Sequence, residues 1–234
     1  MNCRLYLVPA PLCDNPPEEV VPPYVFSSIS HVRHFAVENI RTARRYLSRT
    51  CFKGMIDSLT FYEISEHSTQ EDIEEIFQVL RGGVDMALIS EAGLPAVADP
   101  GAALVALAHT ADVEVVPFSG PSSLMMALMA SGMNGQRFAF TGYLPVKGEV
   151  RRRRIKELET RSRKFSETEI IIETPYRNGA LMADILAVCS PSTRVCIAVD
   201  VTAADQFIRT KTVEDWKKTE AVMDKRPAVF LISA

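Results

Sequence analysis

Two stretches of the 234-residue chain concentrate residue types that can hold a small ligand. The first is Ser90-Glu91-Ala92-Gly93-Leu94-Pro95-Ala96-Val97-Ala98-Asp99-Pro100-Gly101, and the second is Pro117-Phe118-Ser119-Gly120-Pro121-Ser122-Ser123. Glycines at 93, 101 and 120 let a backbone come close to a ligand, and the hydroxyls of Ser90, Ser119, Ser122 and Ser123 can meet its polar edges. Such loops also serve simply to turn a chain. Neither reads GxGxxG or GxxxxGK(S/T), so the dinucleotide and P-loop chemistries lose their main support. A different signal is the run Arg151-Arg152-Arg153-Arg154, with Lys147 before it and Arg161, Arg163 and Lys164 after it. It reads as a phosphate-contacting patch or, equally, as a solvated helix face.

Both loops must be carried by regular elements. Each follows a short apolar run, 84–89 or 113–116, and precedes a helical stretch, one over 102–111 and a Met-rich one ending at Gly132. Met125, Met126, Met129 and Met133 read as pliable core filling. Further strands are expected at 5–8, 34–37, 58–64, 137–142, 168–173, 194–200, 206–211 and 227–233. Helices are expected at 39–50, up to Gly82-Gly83, at 148–163 and up to about Val188. Ser68 with Glu71 has capping-box spacing for the helix that Gly82-Gly83 closes. Prolines 9, 11, 16 and 17 predict a loop after the first strand. This alternation is the pattern of an α/β protein whose buried parallel strands are joined by crossover helices. Ligands collect at the carboxyl ends of such strands, where both loops lie. Prolines and Gly120 near 117–121 divide the chain into α/β domains at 1–117 and 118–234.

The formal charge of −3 gives no global attraction to a polyanion, so a nucleic-acid contact would need a local patch. The five cysteines include no CxxC pair and read as reduced and structural. No apolar run approaches the roughly 18 residues of a membrane span, and the opening MNCRLYLVPAP has too short an apolar stretch for a signal peptide. The expectation is a cytoplasmic protein without a membrane segment or a metal.

The spelling of the loops carries more. Ile89 to Pro95, Ala98 to Gly101 and Val115 to Pro121 resemble consecutive motifs of the tetrapyrrole-methylase superfamily. Within it they are most similar to the branch of small-subunit ribosomal RNA ribose 2′-O-methyltransferases. The resemblance extends to Leu5–Pro11, Ala36–Thr42, Gly142–Pro145 with Lys147, Glu173–Arg177 and Asp200-Val201-Thr202. Three places depart from it. Leu12-Cys13-Asp14-Asn15 replaces an Ile-Gly-Asn-Leu-like turn, Asn39 stands where the family has an acid, and Val199 and Ala203 stand where the branch tends to have Arg and Lys.

What the resemblance implies is a two-domain α/β methyltransferase, usually a homodimer, with S-adenosylmethionine (SAM) folded into the interdomain cleft. Cofactor contacts are then expected from Pro11, Ser90, Glu91, Ala92, Gly93, Pro95, Val97, Ala98, Asp99, Ser119, Gly120, Pro121, Ser122, Ser123, Glu173 and Pro175. RNA contacts are expected from Lys147, Arg151, Arg152, Arg153, Arg154 and Arg177. Methyl transfer from a sulfonium is a direct displacement governed by positioning, with a base needed if the acceptor is a hydroxyl. Glu38, Glu91, His67 and Asp99 are the titratable candidates, and Arg41 can hold a phosphate or orient a carboxylate. Each has a plainer alternative. Glu38 and Arg41 are spaced for a surface ion pair, His67 for a solvated loop, and Asp99 for capping the next helix. Two further readings stay open: methylation of a small molecule such as a tetrapyrrole, and SAM binding without turnover.

Overall fold

A computed structural model describes residues 3–219, 223 and 225–234. The chain folds as two compact units that divide between Ser122 and Ser123. That boundary lies five residues beyond the one read from the prolines (122 against 117), because residues 118–122 continue along the first unit's sheet. The Phe118 amide donates to the Leu7 carbonyl at 3.1 Å, and Gly120 lies against the Pro9 ring.

In the first unit the strands are β1 (Arg4–Leu7), β2 (His34–Val37), β3 (Thr60–Glu63), β4 (Met86–Ile89) and β5 (Glu114–Pro117). They form one parallel sheet in the order β3-β2-β4-β1-β5. Side chains alternate across each strand, so two cores form. Tyr6, Phe35, Val37, Ala87 and Ile89 face helices α1 (Pro17–Val20), α2 (Pro23–Ile29) and α3 (Ile40–Leu47). Leu5, Ala36, Met86 and Leu88 face α4 (Gln70–Arg81) and α5 (Ala102–Thr110). Burying each such aliphatic side chain stabilises the unit by about 1.5–3 kcal/mol.

One local expectation holds and one is corrected here. The loop expected after β1 is present over residues 8–16, and beyond it Pro17 and Pro23 start helices α1 and α2, at first-turn positions where a missing N–H costs nothing. The capping box of α4 is Thr69 with Asp72, one residue later than Ser68 with Glu71. The Ser68 hydroxyl instead accepts from the Ser65 amide at 3.0 Å.

The second unit contains α6 (Ser123–Ser131), β6 (Phe138–Tyr143), α7 (Gly148–Phe165), β7 (Thr168–Glu173), α8 (Asn178–Val188), β8 (Arg194–Val199), β9 (Phe207–Thr212), α9 (Val213–Trp216) and β10 (Ala228–Ser233). Its sheet order is β6-β7-β10-β8-β9, and only β6 and β7 run parallel. The expectation of parallel strands throughout therefore fails in this half. The link from β8 to β9, residues 200–206, is too short for a crossover helix and suits only an antiparallel neighbour. Ile155 and Leu158 of α7, with Leu181 and Ile185 of α8, pack on Ile171, Ile197 and Phe230. Among the described residues no helix is long and apolar enough to cross a membrane.

Candidate active site

Connections from β1 and β4, which are neighbours in the first sheet, leave toward opposite faces. The chain after β1 enters α1 and α2 on one side, whereas that after β4 enters α5 on the other. A crevice opens at the carboxyl ends of two such strands, which is the usual ligand position in an open α/β sheet. Loops 8–15 and 90–101 meet there through a two-residue bridge, the Ala10 amide donating to the Gly93 carbonyl at 2.9 Å and the Gly93 amide to Ala10 at 3.0 Å. Loop 117–122 closes the same crevice, with the Pro121 carbonyl 3.6 Å from where a Cβ on Gly93 would stand.

Gly93 holds φ +75°, which a side chain adopts at a cost, and Gly120 has no room for a Cβ against Pro9. Ala96 and Ala98 sit at φ +64° and +65°, each costing about 1–2 kcal/mol relative to ordinary backbone. Strain of this kind persists only where the surroundings enforce it, and it clusters at ligand-binding sites. Buried Tyr46 fixes the facing loop 8–15. Its hydroxyl donates to the Pro9 carbonyl at 2.7 Å, and burial pushes the phenol's pKa well up.

Three carboxylates converge on the crevice. Glu38, immediately after β2, accepts from the Glu91 amide at 2.9 Å, and Glu91 accepts from the Thr42 hydroxyl at 3.0 Å. Burial, followed by the negative charge of Glu38, holds the Asp99 carboxyl up at about 7. A hydrogen bond from Ser90 opposes that rise, and Glu91 adds to it. Two alternatives left open by spacing are thereby decided. Asp99 does not cap α5, whose N-cap is Gly101 without a side-chain bond, and Arg41 makes no ion pair with Glu38.

Asn39, the position where an acid was expected, caps α3 by accepting from the Thr42 amide at 3.0 Å. Asn39→Ala is expected to cost about 1 kcal/mol. Thermal melting should fall by about 2–4 °C, while Asn39→Asp keeps the cap and the melting temperature.

Other expected site residues lie apart from this cluster. His67 is exposed in the segment after β3, with Glu66 as its partner at 3.7 Å, so it does not join Glu38 and Glu91. Pro11 lines the crevice and Pro95 is buried in its loop, whereas Val97 is exposed. Ser123 opens α6 in the second unit. Pro175 begins a single 3-10 turn there, and buried Glu173 accepts from the Thr174 amide at 2.7 Å and from the Arg177 guanidinium. Arg177 also donates to the Leu144 carbonyl at 3.1 Å, so this pair braces the turn rather than facing outward.

The arginine run is likewise less available than its spelling suggests. Arg151 is buried, with Nη2 2.6 Å from Asp184 of α8, and Arg152 lies 3.0 Å from the same carboxylate. Arg154 pairs with Glu157 at 3.0 Å, which leaves the side chains of Lys147 and Arg153 as the exposed cations of this run without a partner among the described residues. What spacing did not reveal is a cavity of about 200 Å³ beside α3, reaching from Ser90 and Glu91 past Pro11–Asn15 to Arg45 and Arg49.

No family model matches the chain. It is 33% identical over 171 residues to ribosomal RNA small subunit methyltransferase I of Pseudomonas aeruginosa, covering 72% of this chain and 59% of that protein. It is 31% identical over 205 residues to the Vibrio cholerae protein of the same name, covering 88% of this chain and 67% of the relative. The chain thus spans roughly six tenths of the length of the curated relatives it matches. Its fold is shared with the methyltransferase CobJ at a TM-score of 0.67 and 16% identity, over all of this chain and 94% of that one. Together the loop pair at the switch point and 31% identity to the Vibrio cholerae relative, of which the chain covers 67%, show that it belongs to the ribosomal RNA small subunit methyltransferase I family.

Proposed function

We propose that the chain is a SAM-dependent methyltransferase acting on ribosomal RNA, with a ribose 2′-hydroxyl as acceptor. The observation that carries this reading is the acidic, cation-free loop pair around Asp99 in a chain of this family. Loops 90–101 and 117–122 contain no Lys or Arg, while Glu38, Glu91 and Asp99 gather negative charge beside them. That donor set suits a nucleoside bearing positive charge and no phosphate, which describes SAM; a nucleotide would want the opposite field. The backbones of Ser90–Gly93 and Ser119–Pro121 would hold it. Bound SAM supplies an electrophilic methyl group on a sulfonium.

The chain's own contribution is to hold the acceptor in line and to take its proton. Asp99, poised at about 7, exchanges between acid and base near neutral pH, as a general base requires. Glu38 and Glu91, tied to one another and to Thr42, are positioning residues that maintain the field around it. Exposed apolar side chains Met129, Phe138 and Phe140 support the further proposal that the chain self-associates, which sedimentation velocity checks.

Purified protein incubated with methyl-labelled SAM and small ribosomal subunits from cells lacking the gene is expected to place label in the RNA. The labelled linkage should resist alkali, as a 2′-O-methyl ribose does. SAM binding without label in any RNA would overturn the substrate assignment.

A further inference from the structure

The cavity beside α3 has two chemically different ends. Ser90 and Glu91 form the end at the proposed reaction centre, and Arg45 and Arg49 form the other. Arg41, Arg45 and Arg49 recur every fourth residue from α3 into the turn that follows it, so they step along one side of the element about 6 Å apart. Arg41 and Arg45 are exposed, and their side chains make no hydrogen bond or ion pair among the described residues. Arg49 donates to Asp14 at 2.7 Å and to the Asn15 carbonyl at 3.1 Å, pinning the loop that departs from the family's glycine-containing turn.

We propose that Arg45 and Arg49 form the phosphodiester-binding subsite for the acceptor RNA strand, resting on the reading of the chain as an RNA methyltransferase. Guanidinium groups bind phosphate oxygens in a two-pronged geometry that lysine cannot reproduce. A volume of about 200 Å³ holds the equivalent of about seven waters, which admits a sugar–phosphate unit. The acceptor nucleotide enters with its phosphate at the arginine end and its ribose toward Glu91. Asp14 competes with that phosphate for Arg49, so the Asp14–Arg49 pair is a contact the RNA must displace. On this assignment the principal footprint lies in the first unit, because Asp184 and Glu157 already engage three of the four arginines in the run 151–154.

The test measures binding of a labelled single-stranded oligonucleotide, copied from a loop of small-subunit ribosomal RNA, to the full chain as a function of salt. SAM affinity is followed by calorimetry on the same samples. Arg45→Gln with Arg49→Gln is expected to weaken RNA binding about tenfold or more and to flatten the log–log salt slope by about 1.4, two contacts at about 0.7 each. SAM affinity should not change. Asp14→Asn, which frees Arg49, should strengthen RNA binding. Lys147→Gln with Arg153→Gln is the comparison on α7. An unchanged slope in the first pair, a larger loss in the α7 pair, or weaker binding by Asp14→Asn would overturn the subsite while leaving the RNA assignment standing. Failure of the wild-type chain to bind any RNA while binding SAM would overturn the functional reading, and the subsite with it.

Discussion

Asp99→Asn is expected to lower kcat at least about hundredfold, within the range that positioned acid–base groups contribute, while leaving the protein more stable at pH 8. The two effects share one cause. Asp99 retains its proton up to about 7 in the folded chain, because burial and then the charge of Glu38 oppose ionisation. A base must be ionised to work, so wild-type activity should rise with pH through about 7. The variant should lose that limb.

Stability moves the other way. Between the ordinary carboxylate range and about 7 the folded chain binds a proton that the unfolded chain has released, so stability falls as pH rises through that window. The slope stays below the limit of about 1.4 kcal/mol per pH unit for one proton, because Asp99 is only partly buried and solvent screens its charge. Asparagine carries no charge to bury and removes the slope. Rate profiles and thermal melts from pH 5 to 9 check both halves. A variant that keeps its activity limb, or is less stable than wild type at pH 8, would remove Asp99 from the proposed role.

Gly120→Ala is expected to weaken SAM binding at least about hundredfold, on the scale of losses that follow a 1 Å misplacement of positioning groups. A Cβ at this position would stand 2.1 Å and 2.4 Å from the Cβ and Cγ of Pro9. Neither side can yield cheaply. The Pro9 carbonyl is held by Tyr46, and the strand leading to Gly120 is held by the bond from Phe118 to Leu7. The methyl group must therefore push loop 117–122 away from loop 8–15. Overpacking of this kind also costs about 1–3 kcal/mol of stability. Gly135→Ala is the control, since nothing lies within 4 Å of its Cβ position and its backbone is ordinary. Calorimetry with SAM and a thermal melt of both variants provide the measurement, and equal SAM affinity in the two would show that the cofactor lies elsewhere.

Much of the fold was legible in the order of residues, for identifiable reasons. Strands such as His34–Val37 and Thr168–Glu173 match their expected limits because the apolar runs Phe35-Ala36-Val37 and Ile170-Ile171-Ile172 mark their buried centres. Helix α4 was legible from its stripe of Ile73, Ile76, Phe77 and Leu80, although its cap slid by one residue. Both Thr69–Asp72 and Ser68–Glu71 have the right spacing, and only the turn at Ser65 selects between them. Helices α1 and α2 escaped notice because proline marks both a loop and a helix start. The antiparallel half of the second sheet escaped because an apolar strand reads the same whichever way its neighbour runs.

The candidate site divides along the same line. Its loops at 90–101 and 117–122 announced themselves because close backbone approach and positive φ restrict which residues are allowed, and that restriction is written in local composition. Local order was also enough to place these loops at the carboxyl ends of strands in an α/β chain. Only the tertiary structure decided what the charged groups do. Asp99 acquires a near-neutral proton affinity from burial and then from the charge of Glu38 across the crevice, Arg151 is withdrawn from solvent by Asp184, and the Arg45 side chain has no partner among the described residues beside a cavity. Backbone demands are local and so are spelled residue by residue. Electrostatic energy depends on burial and on through-space distance, which no spacing along the chain specifies.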